Sequence, residues 1–196
     1  AEKYADIALG DTAVAKDAMQ VKLAVMQAPL KTHADTLNYI TKLKDIYAKD
    51  ESNEMIFSTI CSMYISTNDK AALNELVQAK LAKDPNNFTA LAMSGQAYMN
   101  EHKWDEAIAA LSKAEAVQPG NVAVIGSIGN SYMYKAQDAA EHATQCGKRL
   151  TPEAEKQIID VYKQAISYLE KAKELDTTMQ FKSVRAYSLY TCCYRA

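Results

Sequence analysis

The sequence predicts an all-α protein built from stacked antiparallel helix pairs, an α-solenoid. Tyr64, Tyr98 and Tyr132 follow one another at intervals of 34 residues. Around each tyrosine the same pattern recurs, with a large apolar residue seven positions earlier and a small residue three positions earlier. These residues are Phe57, Leu91 and Ile125, and Cys61, Gly95 and Gly129. A period of this length is typical of helix–turn–helix units that pack side by side. No strand-length run alternates apolar and polar residues, so no sheet is predicted.

Composition agrees with helices and excludes several classes of function. Only 6 glycines and 4 prolines occur among 196 residues, which favours long helices joined by short turns. A net charge of −2 provides no basic face for nucleic acid, so no nucleic-acid partner is expected. No apolar run approaches the length of a membrane span. The chain begins at Ala1, which fits export to the periplasm or extracellular space after signal-peptide removal, and equally fits a trimmed chain. The compartment therefore stays open.

The clearest repeat spans residues 86–119. Before it, Pro85 ends the preceding helix and the following asparagines are suited to cap the next one. Apolar residues at helical spacing then mark a first helix through Phe88, Leu91, Gly95 and Tyr98, and a second through Trp104, Ala107, Ile108, Leu111 and Ala114. Gly95 and Ala107 lack bulk where these two helices are expected to cross.

This unit resembles a tetratricopeptide repeat (TPR). In that family a large residue, Leu-Gly and Tyr mark the first helix, and Ala, a large residue, Ala and Pro mark the second helix and the turn. The matching residues here are Leu91, Ser94, Gly95, Tyr98, Ala107, Leu111, Ala114 and Pro119, and only Ser94 departs from the pattern. The resemblance implies a right-handed superhelix of helix pairs that acts as a non-catalytic scaffold for another protein.

The rest of the chain is predicted to continue the same single array over residues 1–196. Residues 11–50 are interpreted as a degenerate amino-terminal repeat broken at Pro29, and residues 51–85 as a further repeat whose second helix fits less well. Residues 177–196 are expected to form a terminal helix, containing Phe181, that either caps the array or leads into a natural chain that continues beyond Ala196. A homo-oligomer formed through this helix is a competing expectation.

Residues 120–176 form a repeat with 24 additional residues, since Gln118 to Asp176 is 58 positions and 58 − 34 = 24. Alanines at helical spacing, Gly147 as a helix end, and Thr151 with Pro152 as a helix start indicate that both helices are simply longer. A disordered loop of the same length is the alternative.

The resemblance also places a partner-binding groove, because the first helices of TPR units line the inner surface. The corresponding positions are Met55, Ser58, Ser62, Ile65, Thr89, Ala92, Gln96, Met99, Asn100, Ala123, Gly126, Ser127, Asn130, Met133 and Tyr134. None is lysine or arginine, so a groove that holds a terminal carboxylate is not expected. A neutral wall of this kind suits an extended or helical peptide segment, or a neighbouring helix of the chain itself. Alternatively, the small residues serve only to permit tight curvature.

No residue pattern points to catalysis or to a cofactor. His142 and Cys146 are four residues apart, but two ligands are too few for a zinc site. The four cysteines, Cys61, Cys146, Cys192 and Cys193, do not form a disulfide-like spacing. Two other functions remain open: a helical accessory domain of a larger enzyme or uptake complex, and a structural protein that self-associates through its terminal helix or long hairpin.

Overall fold

The computed structural model describes residues 15–28, 30–145, 150–178 and 182–195. Every regular element in these ranges is an α-helix, so the predicted all-α class is confirmed. The helices are α1 Ala15–Gln27, α2 His33–Tyr47, α3 Glu54–Ser66, α4 Lys70–Lys83, α5 Phe88–Asn100, α6 Trp104–Val117, α7 Val122–Gln145, α8 Pro152–Leu175 and α9 Lys182–Arg195. Pro29, Cys146, Gly147 and Phe181, which the sequence analysis singled out, lie outside the described residues.

The chain divides into two compact units, residues 1–67 and residues 68–196. This boundary falls inside the predicted repeat 51–85, so α3 and α4 belong to different units. In the first unit, α2 packs against α3, and the rings of Tyr47 and Phe57 lie 5.9 Å apart. The Tyr39 hydroxyl donates a hydrogen bond to the Leu23 carbonyl of α1 at 3.4 Å. A capping box formed by Thr32 and Asp35 begins α2.

The second unit contains the helices α4 to α9, and each packs against the next along the chain. In addition α5 contacts α7, and α7 contacts α9. The alternate helices α5, α7 and α9 therefore lie side by side. This is the packing of a TPR-like solenoid and confirms the resemblance at the level of fold.

The small residues of the repeat lie where paired helices cross. A β-carbon added at Gly95 would lie 2.7 Å from Leu111 Cδ2 and closer still to its Cγ. At Gly129 an added β-carbon would lie 2.7 Å from Leu169 Cγ and 3.3 Å from the Ala165 carbonyl oxygen. Real β-carbons do not approach neighbours this closely, so the close approach of the paired helices favours glycine at positions 95 and 129.

The extended hairpin predicted from the sequence is also confirmed. The helices α7 and α8 contain 24 residues each, whereas α5 contains 13 and α6 contains 14. Thr151 begins α8 as anticipated, because its Oγ1 accepts a hydrogen bond from the Ala154 amide at 3.2 Å. Within the described residues, helix covers most of the inserted stretch, in place of the alternative disordered loop. No described helix combines the length and apolar character that a membrane span requires.

Candidate partner-binding surface

The groove positions predicted from the sequence lie on α3 in the first unit and on α5 and α7 in the second. We call the α5 and α7 positions the inner wall. Its members are Thr89, Ala92, Gln96, Met99, Asn100, Ala123, Gly126, Ser127, Asn130, Met133 and Tyr134. Asn100, Ala123 and Tyr134 are exposed, Met133 is buried, and the other members are half-buried. The inner wall is therefore partly accessible.

On α5 the inner wall combines amide groups with packed apolar side chains. Gln96 Nε2 donates to Asn100 Oδ1 at 3.3 Å, one helical turn away. This hydrogen bond is long and largely exposed, so a ligand can replace it by forming hydrogen bonds with either amide. Ala92 and Met99 instead pack against the core between α5, α6 and α7, which limits them to a supporting role.

On α7 the backbone itself is open to a ligand at Gly126. A β-carbon added there would have no other atom within 4 Å, apart from the two neighbouring residues and the backbone of α7 itself. Ala123 is exposed one turn earlier, and the Ser127 carbonyl accepts a hydrogen bond from the buried Ser131 at 2.8 Å. This stretch of α7 therefore presents a flat surface of small residues that an incoming backbone could approach closely.

Further along α7 the terminal helix α9 covers the wall, and the prediction for Met133 is wrong. Met133 is fully buried and packs with Tyr162, Leu169 and Cys192, so its side chain cannot line an open groove. Asn130 is half-buried, and its Oδ1 accepts a hydrogen bond from the buried Ser188 of α9 at 2.8 Å. A neighbouring helix of the chain thus occupies this end of the predicted groove.

The sequence contained a signal for this arrangement. Ser188 follows Asn130 by 58 positions, which is the repeat length of 34 plus the 24 additional residues of the long hairpin. The two residues therefore occupy the same place in successive repeats. If the 24 additional residues of the long hairpin are allowed for, the repeat numbering continues into α9 and identifies it as the first helix of another repeat.

Tyr134 lies in an aromatic cluster at the turn between α5 and α6. Its ring stacks on Trp104 with centroids 5.4 Å apart, and the His102 ring lies 5.1 Å from Trp104 on a tilted plane. Trp104 Nε1 donates to Asp138 Oδ2 at 2.7 Å, and His102 Nδ1 lies 3.8 Å from the same oxygen. This cluster fastens the extended part of α7 to the α5–α6 turn. Sequence reasoning missed it, although Trp104 and Asp138 are separated by one repeat length.

In the first unit, the two serines among the four predicted positions on α3 form hydrogen bonds with carbonyl groups of their own helix. Ser58 Oγ donates to the Met55 carbonyl at 2.9 Å, and Ser62 Oγ donates to the Ser58 carbonyl at 2.9 Å. Ser62 is exposed, whereas Met55, Ser58 and Ile65 are half-buried. These hydroxyls provide weaker evidence for ligand binding than the amides of α5.

A concavity of about 480 Å³, lined by residues that are not members of the inner wall, lies between α4 and α5. Its floor includes Leu73 and Val77, and its rim carries two lysines around one glutamate. Lys103 Nζ lies 2.7 Å from a carboxylate oxygen of Glu101, and Lys70 Nζ lies 3.7 Å from the other. The hydrogen bond from Lys103 lowers the pKa of Glu101 and raises the pKa of Lys103. The charged groups of this cleft are therefore already paired with one another.

The thiols of the two buried cysteines are not suited to nucleophilic chemistry. Burial raises the pKa of Cys61 to about 12 and that of Cys192 to about 11, so both remain protonated near neutral pH. Within the described ranges, no group of three or more His, Cys, Asp or Glu residues could hold a metal ion. Of the pair His142 and Cys146, the cysteine lies outside those ranges.

Comparison with other proteins shows a similarity of fold only. No protein-family model matches the chain. The crystal structure of MamA aligns with 83% of this chain and 89% of its own, at 14% identity and a TM-score of 0.45. A second MamA structure, MamA MSR-1 C2, aligns with 88% of this chain and 91% of its own, at 15% identity and a TM-score of 0.45. At these identities the similarity assigns no function to the chain.

Proposed function

We propose that the chain is a non-catalytic protein-interaction module that binds a peptide segment, extended or helical, along the inner wall of α5 and α7. The observation that carries this proposal is the open space over Gly126 on α7. The amides of Gln96 and Asn100 on α5 add hydrogen-bonding groups to the same predicted wall. A glycine inside a helix costs stability, and neighbouring atoms do not require this one. Close approach of another backbone accounts for its presence.

The chemistry of the inner wall favours a neutral peptide backbone as its ligand. Gln96 and Asn100 each offer a donor and an acceptor, so they can pair with a peptide in either chain direction. No lysine or arginine lies among the wall positions, and a carboxylate would lack the charge-assisted hydrogen bonds that hold it strongly. Each hydrogen bond to the peptide would contribute about 1 kcal/mol net, so binding requires several together.

Capture of partners from the native cell tests this proposal when wall variants are compared with a matched control. Gly126→Leu fills the open space and Gln96→Arg adds a charge, while Ala116→Arg adds the same charge at an exposed position on α6. We expect proteins that bind the unmodified chain and Ala116→Arg to be lost from both wall variants. Far-UV circular dichroism confirms that each variant is folded. Retention of the same proteins by all four chains would contradict the proposal.

A further inference from the structure

The terminal helix α9 has one side that nothing in the described structure covers. Tyr187, Tyr190 and Tyr194 are 65%, 70% and 76% exposed, and the last two rings stack with centroids 6.2 Å apart. Lys182 and Cys193 are exposed on the same side, since the five residues fall within about 140° of the helix circumference. We call these five residues the tyrosine face. The opposite side of α9 packs against α7 and α8.

A helix packed as in the other repeats cannot cover the tyrosine face. Tyr187 follows Gly129 by 58 positions (187 − 129), so it occupies the small-residue place of its repeat. At Gly129 even a β-carbon would come within 2.7 Å of Leu169 on the partner helix. A tyrosine at the equivalent place excludes a helix crossing of that kind. The tyrosine face is therefore suited to a different type of contact.

The size of the tyrosine face identifies it as an interaction surface, yet one too small for a stable dimer. The exposed parts of its three tyrosines amount to roughly two whole side chains, or about 400 Å². Contiguous patches of roughly this size on a monomer are often functional. A standard protein–protein interface buries about 800 Å² on each partner, about twice this area. Any contact through this face alone is thus small, which excludes a stable dimer and leaves a weak, transient interaction with another molecule.

Charge decides what kind of partner fits. The segment 182–195 contains Lys182, Arg185 and Arg195 and no acidic residue. Two copies of α9 would therefore oppose like charges, which disfavours self-association further. An anionic membrane would suit the charge, but Leu189 is already half-buried against the core and no leucine, phenylalanine or tryptophan is exposed on α9 for insertion. A negatively charged protein surface satisfies both the charge and the tyrosines.

We propose that the tyrosine face docks an acidic amphipathic helix of another protein. The three rings pack on the apolar stripe of that helix, as tyrosine anchors commonly do at interfaces. Lys182 on the face pairs with a carboxylate that flanks the stripe. This contact is separate from the inner wall, so it does not depend on the function proposed above.

Two synthetic peptides of about 20 residues test the proposal, since this length makes between five and six helical turns. Both carry leucine at the same amphipathic positions, and their polar positions are glutamate in one and lysine in the other. We expect the glutamate peptide to bind at least about tenfold more tightly in fluorescence anisotropy. Tyr190→Ala should weaken that binding by about tenfold or more, whereas Ala116→Ser, at an exposed position on α6 outside both surfaces, should not change it.

Cys193 reports where the peptide binds. Among the described cysteines it is exposed, whereas Cys61 and Cys192 are buried. In a Cys146→Ser background, the glutamate peptide should slow the modification of Cys193 by a thiol reagent. Protection of Cys193 together with the Tyr190→Ala effect would support the proposal.

Several results would overturn it. Equal affinity for the two peptides, no detectable binding of the glutamate peptide, or unchanged binding by Tyr190→Ala would each do so. Sedimentation velocity that reveals a dimer abolished by Tyr190→Ala would assign the face to a second copy instead. Cosedimentation with phosphatidylserine vesicles that the same substitution abolishes would assign it to a membrane.

Discussion

Two glycines of α7, three residues apart, provide a direct test of the helix packing. Gly126 and Gly129 lie in the same helix, so replacement by alanine gives a similar gain in helix propensity, about 1 kcal/mol, at both positions. Their surroundings differ. At Gly126 the new methyl group enters open space, whereas at Gly129 it meets Leu169 at 2.7 Å and the Ala165 carbonyl at 3.3 Å.

The expected changes in the free energy of unfolding follow from this difference. Gly126→Ala should stabilise the protein by about 0.5–1 kcal/mol, because it removes backbone freedom from the unfolded chain. At Gly129 the same gain is opposed by overpacking, which costs about 1–3 kcal/mol. Leu169 is fully buried and the Ala165 contact is with backbone, so neither can withdraw easily. Gly129→Ala should thus be about 1–3 kcal/mol less stable than Gly126→Ala.

Urea unfolding followed by tryptophan fluorescence measures this difference. The chain has a single tryptophan, Trp104, and it lies in the same compact unit as both glycines. Its signal therefore reports the unfolding of the relevant unit. Equal transition midpoints for the two variants, with equal slopes, would show that α7 and α8 do not approach each other closely at Gly129, and the account of the small-residue period would fail.

Three further predictions concern single contacts. Trp104→Phe should lower the free energy of unfolding by about 1–2 kcal/mol, because the carboxylate of Asp138 loses its 2.7 Å donor; circular dichroism during urea unfolding checks this, and an unchanged midpoint would contradict it. Thr151→Ala should cost about 1 kcal/mol and speed amide exchange in the first turn of α8, whereas Thr151→Ser, which keeps the capping oxygen, should not. Burial raises the pKa of Cys61 to about 12, above its ordinary value of 9.0. The folded state therefore favours the protonated thiol, and this contribution to the free energy of unfolding is full below pH 9 and is lost as pH rises toward 12. Between pH 8 and pH 10 the unmodified chain should lose about 1 kcal/mol more stability than Cys61→Ala, and parallel pH profiles would refute this.

Local patterns in the sequence were sufficient for the helices and for the hairpin extension. Thr151 and Pro152 predicted the start of α8, and the small residue Gly95 predicted where the helices of its pair meet. These predictions succeeded because capping and helix crossing depend on residues close in sequence or at a constant interval. The extent of each repeat along the chain and the identity of a partner were not determined in this way, and the inner wall as a binding site stays a prediction.

Accessibility was decided only by the tertiary structure. Met133 and Tyr134 are adjacent on α7 and were predicted alike, yet Met133 is fully buried and Tyr134 is 39% exposed. The difference arises because α8 and α9 pack over Met133, while the Tyr134 ring stacks on Trp104 and stays partly open. The sequence by itself determined which residues repeat and therefore which helices form. Which side of each helix remains open depends on helices that are distant along the chain, and periodicity within a single helix carries no information about them.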